Sequence, residues 1–171
     1  MPSVPIRPPL QDELSMLRSI QRDSGQGYRK YGLNDVADHE PPSVEVFAAY
    51  VDDGRAWVSV DDFDQPIGFI IVDIIDGGTH IEQVSVLPVH QDEGIGRALI
   101  EHVEKWAVSM RLSALTLTTF GHIPWNRPLY EHLGFRVLFD DEIGPGIRRV
   151  CEAEASSGLD PDVRVVMRLR L

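Results

Sequence analysis

Residues 81 to 110 limit the folds open to this chain more than any other stretch. Residues 81 to 87 are rich in β-branched and aliphatic types and run into Pro88, which ends a strand. From Ile95 the apolar positions are Ile95, Ala98, Leu99, Val103, Trp106, Ala107 and Met110, a spacing that gives a helix one buried stripe. Between strand and helix lies Gln91-Asp92-Glu93-Gly94-Ile95-Gly96. A helix start exposes backbone N–H groups without intrahelical partners and carries partial positive charge. Glycines there remove Cβ atoms, permit positive φ and let phosphate oxygens approach the main chain. A diphosphate suits such a turn. So does no ligand at all, because a tight strand-to-helix connection also uses glycine.

Two common phosphate motifs do not fit. A dinucleotide fingerprint needs Gly or Ala three residues after its second glycine, where this chain has Leu99. A P-loop needs Gly-Lys-Ser/Thr, which is absent. What remains is Gln-x-x-Gly-x-Gly opening an amphipathic helix. It resembles the pyrophosphate-binding motif of the GNAT superfamily of acyl-CoA-dependent N-acyltransferases, with Gln91, Gly94 and Gly96 in the matching places.

The rest of the chain gives a sheet order compatible with that resemblance. A short strand over residues 4 to 7 precedes a helix over 10 to 21, with Leu10, Leu14, Leu17 and Ile20 at helical spacing and a stop at residues 23 to 27. Residues 28 to 39 carry Tyr28, Tyr31, Leu33 and Val36 among polar groups and read as a loop packed by its aromatics or as a substrate border. Ser43 caps a helix over 44 to 51. Residues 55 to 60 and 66 to 75 form a hairpin, and Asp76-Gly77-Gly78 turns the chain into the central strand. Residues 114 to 118 form a strand parallel to the central one, reached by a right-handed crossover through the long helix. Asn126 caps a further helix with Pro128 in its first turn, and Gly134 stops it before a strand over 135 to 139. A helix over 147 to 157 and a final strand over 163 to 169 complete the chain. The fold class is α/β (α+β): a mixed, mostly antiparallel sheet of six to seven strands with helices on both faces. The GNAT resemblance implies that the two parallel central strands splay apart and that the pantetheine arm fills the gap. The 171 residues are expected to form a single N-acetyltransferase domain.

A second motif adds to the resemblance. Asn126, Tyr130 and Gly134-Phe135 match the family's Asn…Tyr-x-x-x-Gly-Phe segment, with one residue fewer after the asparagine. The resemblance implies that Tyr130 contacts the CoA sulfur and Asn126 the pantetheine arm. It also implies that Gln91, Asp92, Glu93, Gly94, Ile95, Gly96, Arg97 and Ala98 form the pyrophosphate loop. Main-chain groups of Val84, Ser85 and Val86 would pair with the pantetheine amides and hold the thioester oxygen. Family members often carry Arg or Lys in the loop. Here Asp92 and Glu93 stand there with Arg97 the nearby cation, which lowers the expected CoA affinity.

The implied reaction is attack of a primary amine, of a small molecule or a peptide, on the thioester of acetyl-CoA in a ternary complex. Tyr130 is the candidate general acid. Transfer from a phenol of pKa about 10 to a thiolate of about 8.5 is uphill by roughly 2 kcal/mol, so a strong hydrogen bond to sulfur suffices. An alkylammonium at about 10.4 against a glutamate at about 4.3 leaves a gap of roughly 8 kcal/mol. The base therefore needs a raised pKa, a water relay or an amine of low pKa. Glu82 on the central strand is the first candidate, and His80 and a water relay remain open. A non-catalytic acyl-CoA-binding regulatory domain and a nucleotide-binding domain are the competing readings.

Charge and composition exclude other classes. A formal net charge of -11 argues against a nucleic-acid partner. The histidines show no metal-ligand spacing, so no metal is expected. One cysteine, Cys151, no apolar run of membrane length and no basic-then-apolar leader point to a cytoplasmic protein. Cys151 reads as a small packing residue, Trp106 and Met110 as core, and Arg148-Arg149 as a solvated helix face. A homodimer is compatible with the sequence, without a signal for it.

Overall fold

The computed structural model describes residues 3–171. In chain order the elements are β1 (Ile6–Arg7), α1 (Leu14–Gly25), α2 (Asn34–Ala37), α3 (Val44–Asp52), β2 (Ala56–Val60), β3 (Pro66–Ile75), β4 (Gly78–Val86), α4 (Ile95–Ser109), β5 (Ala114–Phe120), α5 (Arg127–His132), β6 (Arg136–Val137), α6 (Pro145–Ser156) and β7 (Arg164–Arg170). The strands make a seven-stranded sheet in the order β1-β2-β3-β4-β5-β7-β6. The pairings recorded are antiparallel except for β4 with β5, which run parallel. The mixed, mostly antiparallel sheet is therefore as expected. The chain divides into two compact units: residues up to Val72 with Glu82–Val103, and Asp73–Ile81 with Glu104–Leu171.

In the first unit Leu14, Leu17 and Ile20 of α1 bury one helical stripe against Ala56, Val58 and Val60 of β2 and Phe69 and Ile71 of β3. Phe47 of α3 joins them edge-on to Phe69, with centroids 5.4 Å apart. Ser43 Oγ accepts from the Val46 amide at 3.3 Å, the cap read from the sequence. Trp57 points the other way and meets His102 of α4, so helices cover both faces of β2. Before α1, the buried Glu13 carboxylate takes a two-pronged bond from Arg7 at 2.9 and 2.8 Å and one from the Leu10 amide at 2.8 Å. The Arg7 guanidinium holds Glu13 below its usual carboxyl range.

In the second unit Thr79 pairs with Leu115 and His80 with Thr116 in parallel. β5 and β7 pair along their whole lengths, from Ala114↔Arg170 to Phe120↔Arg164. The turn into β4 has Asp76 at φ 53° and Gly77 at φ 73°, the two positive values of a tight hairpin turn. The Asp76 carboxylate then accepts from the amides of Gly146 and Ile147 at 2.9 and 3.0 Å, capping α6 from 70 residues away. A Cβ on Gly146 would lie 2.5 Å from Ile75 Cγ2, so this close approach requires glycine.

Several boundaries differ from those read in the sequence. α1 runs through residues 23 to 25 and continues as 3-10 turns to Tyr31, because Gly25 sits at helical φ of -71°; the stop is Gly32 at φ 73°. Residues 28 to 39 are therefore largely 3-10 and helical turns. The strand after Gly134 shortens to Arg136–Val137, because Glu142 takes the Phe139 amide at 2.9 Å and Arg136 and turns the chain away. Asn126 precedes α5 but its side chain makes no capping bond. Met110 lies beyond the end of α4 and is 51% exposed, so it is not core. Arg148 pairs with Asp140 at 3.1 Å on an exposed surface, so the Arg148-Arg149 face is solvated as read.

Candidate functional site

The glycine turn belongs to the first unit. β4 ends at Val86, a 3-10 turn over Pro88–His90 follows, and α4 opens at Ile95. Gly94 is exposed at φ 77°, and a Cβ there would meet nothing within 4 Å. Glycine at 94 therefore answers a backbone need, not a crowded neighbour. A Cβ on Gly96 would touch only a Val86 methyl, at 3.9 Å. This geometry suits a phosphate ligand, since the first turn is open on the glycine side and its amides lack intrahelical partners. Ile95 is buried and anchors the helix.

Neighbouring side chains hold the turn in place. Gln91 Nε2 donates to the Val86 carbonyl at 3.2 Å, tying loop to strand. Glu93 is drawn to His90 Nδ1 at 3.0 Å, and Asp92 takes the left-handed conformation at φ 71°. Arg97 donates to Glu101 one turn along at 2.8 Å. The Arg97 guanidinium beside the loop is therefore already paired. Sequence reasoning missed Gly68 of β3. A Cβ there would lie 3.1 Å from the Ser85 carbonyl, 3.2 Å from Ile95 and 3.3 Å from Val86, so its absence lets strand and helix close up. A glycine inside a strand pattern is the available signal.

Along β4, Ser85 is buried, Val84 and Val86 are half-buried and Glu82 is exposed. All four lie past the last parallel pair, His80↔Thr116. His80, in the second unit, is only 1% exposed and its Nδ1 lies 2.9 Å from Thr116 Oγ1. Burial pushes its pKa below the usual imidazole value, against the pull of the Glu154 and Asp73 carboxylates. A sealed, neutral imidazole is poorly placed to receive a proton from an incoming amine.

Also in the second unit, Tyr130 lies on α5, half-buried, its ring edge-on to Phe135 at 5.9 Å. Its amide takes the Asn126 carbonyl at 3.1 Å, and its own carbonyl accepts from Phe135 at 3.0 Å. Asn126 is 6% exposed. The Tyr-x-x-x-Gly-Phe spacing thus closes one short helix, with Gly134 at φ 103° turning the chain back so that Phe135 packs on Tyr130.

The same unit also holds a polar cluster unseen in the sequence. Thr118 donates to Glu154, and Arg164 donates through Nη2 to Thr118 at 2.9 Å and to both Glu154 oxygens at 3.2 Å. The Arg164 guanidinium lies 4.5 Å from the Phe120 ring centroid. Cys151 is half-buried, its thiol pKa pushed up chiefly by burial. Among the described residues, no group of three or more His, Cys, Asp or Glu is placed to hold a metal ion. Nor is any described helix long and apolar enough to cross a membrane.

Comparison with known proteins bears on the family and the fold. The peptidyl-lysine N-acetyltransferase YjaB of Escherichia coli K12 is 28% identical over 109 residues, 63% of this chain and 67% of that protein. The PaiA N-acetyltransferase of Thermoplasma acidophilum, solved with coenzyme A, superposes with a TM-score of 0.73 at 16% identity, covering 99% of this chain and 100% of that one. N-acetylglutamate synthase of Neisseria gonorrhoeae, solved with coenzyme A and N-acetylglutamate, gives a TM-score of 0.73 at 18% identity. It covers all of this chain, which spans 36% of the synthase. The model of the acetyltransferase (GNAT) family matches residues 16–135, a span that holds both the glycine turn and the Tyr130 segment. The chain belongs to the acetyltransferase (GNAT) family.

Proposed function

We propose that this chain transfers the acetyl group of acetyl-CoA to a primary amine of a small molecule or peptide, by direct attack within a ternary complex. The observation that carries the reading is the open start of α4, with Gly94 at φ 77° and no residue other than its chain neighbours within 4 Å of where a Cβ would stand. In this reading residues 91 to 98 receive the diphosphate through main-chain N–H groups. Main-chain groups of Val84, Ser85 and Val86 meet the pantetheine amides and the thioester oxygen, and Asn126 meets the pantetheine arm. The amine nitrogen attacks the carbonyl carbon, the C–N bond forms, and the C–S bond breaks as the tetrahedral oxyanion collapses. Tyr130 hydrogen-bonds the departing sulfur, and the proton lost by nitrogen restores the thiol.

Glu82 is the first candidate for the base, directly or through water, because it is the exposed carboxylate of β4 whereas His80 is sealed. The names of relatives supply acceptors to test: lysine side chains, as for the E. coli protein, and glutamate, whose N-acetyl form names the Neisseria synthase. A single half-buried thiol accords with a reducing, cytoplasmic setting, which is part of this proposal. The experiment is acetyl-CoA consumption against a panel of amines, amino acids and peptides. Tyr130→Phe should lower kcat by about a hundredfold or more while the Kd for CoA stays within about twofold. Unchanged kcat would remove Tyr130 from the reaction. CoA binding with no turnover on any acceptor would favour a regulatory acyl-CoA-binding domain.

A further inference from the structure

In the first unit the end of β4 shows two different faces. A Cβ on Gly68 would lie 3.2 Å from Ile95 Cγ2 and 3.3 Å from Val86 Cγ2, so the Val86 side chain points toward the start of α4. By alternation Ser85 and Gln83 point to the opposite face. Their side chains meet there: Gln83 Nε2 donates to Ser85 Oγ at 2.8 Å and, at a long 3.5 Å, to the Val84 carbonyl. Ser85 is 3% exposed and Gln83 is half-buried. The carboxamide is thus fixed through its nitrogen. Its oxygen takes no hydrogen bond among the described residues, and it is not among the polar atoms sealed without a partner. A neutral acceptor, held still and open to a ligand, therefore stands on the face of β4 turned away from α4, one residue before Val84.

An amine that attacks a thioester has two needs. Its lone pair must aim at the carbonyl carbon, so its N–H bonds need an acceptor to fix their direction. It must also be neutral, and a carboxylate set against it favours the ammonium. A carboxamide oxygen accepts an N–H and carries no net charge. We propose that Gln83 Oε1 receives an N–H of the acceptor amine and so aims its lone pair at the thioester carbon, and that Ser85 is the positioning residue that holds the Gln83 carboxamide. The inference rests on the acetyl-transfer reading above. In that reading the diphosphate enters at the start of α4, on the Val86 side, which leaves the Gln83 side of the strand to the amine. Gln83 orients and takes no proton; the base is the one considered above.

Steady-state kinetics of the full chain with acetyl-CoA test this. The probes are Nα-acetyl-L-lysinamide, spermidine and L-glutamate, and variants are compared on the probe that the wild type turns over fastest. Gln83→Leu should lower kcat/KM for the amine by about tenfold or more, the loss of a directed hydrogen bond, while the Kd for CoA stays within about twofold. Ser85→Ala should lower it by about threefold, and the double variant should be no worse than Gln83→Leu, because the hydroxyl acts only through the carboxamide. Gln83→Glu keeps the size of the side chain and decides the matter even where Gln83→Leu does not fold. With a carboxylate against it the bound ammonium gives up its proton less readily. The acid limb of kcat at saturating amine should therefore move up by about one pH unit, a shift that a merely structural role does not produce. An acid limb that stays or moves down, Gln83→Leu as active as wild type, or additive losses in the double variant would overturn the proposal. Turnover by the wild type with any of these results refutes the Gln83 assignment alone. CoA binding without turnover of any probe by the wild type refutes the acetyl-transfer reading, and the assignment with it.

Discussion

At the scale of single residues, Gly94 bears the most direct consequence. Its φ of 77° costs an L-residue about 1 kcal/mol, and a Cβ there would point into open space. Gly94→Ala should therefore leave the chain folded, lower its stability by about 1 kcal/mol, and weaken CoA binding by about tenfold, or ~1.4 kcal/mol. Chemical denaturation and calorimetry check the two halves separately. Gly94 was legible because a strand, a glycine pair and a helical stripe follow one another along the chain. Thr118, Glu154 and Arg164 were not, since they come from three elements, with bonded partners 36 and 10 positions apart. Local pattern carries no trace of such a meeting. Nor does it say that His80 is sealed while Glu82, two residues on, is exposed; alternation alone puts both on one face.

At the scale of elements, the caps and ties decide what holds. Arg7 and Glu13 clamp the entry to α1 with two parallel hydrogen bonds. Glu13→Gln should cost about 2 kcal/mol, the loss of hydrogen bonds to a charged group. Because the folded-state pKa of Glu13 is depressed, its contribution is fully present above the unfolded value of 4.5 and is lost as pH falls below it through the folded value. Urea unfolding from pH 7 down to pH 3 should show the wild type losing more stability than Glu13→Gln, with the curves converging at the acid end. Equal acid sensitivity would mean that the clamp contributes nothing. Ser43, the β2–β3 hairpin and the β3–β4 turn were readable because each uses local chemistry: a hydroxyl cap, an Asp-rich turn, two positive φ values. The Asp76 cap on α6 and the early end of β6 were not, because each depends on a partner from outside its own segment or on a competing side chain.

At the scale of the whole molecule, the sequence pattern supports a mixed sheet of about this size, and the seven strands agree with it. The placement of β7 between β5 and β6 was beyond reach, since nothing in β7 names its neighbours before the sheet is assembled. Net charge acts at this scale too. With -11 at neutral pH, the field favours cationic acceptors and disfavours the anionic coenzyme. Raising salt from about 0.05 to 0.5 M should therefore raise KM for a polyamine or lysine peptide and lower KM for acetyl-CoA, because screening weakens both long-range terms. A shift of both constants in the same direction would contradict this.

The most direct measurement is calorimetric titration of the full chain with coenzyme A and, in parallel, with pantetheine, which lacks the diphosphate and nucleotide. The account predicts saturable binding of one coenzyme per chain and pantetheine binding at least tenfold weaker, with the difference reduced in Gly94→Ala. No heat with coenzyme A, or equal affinity for both compounds, would contradict it.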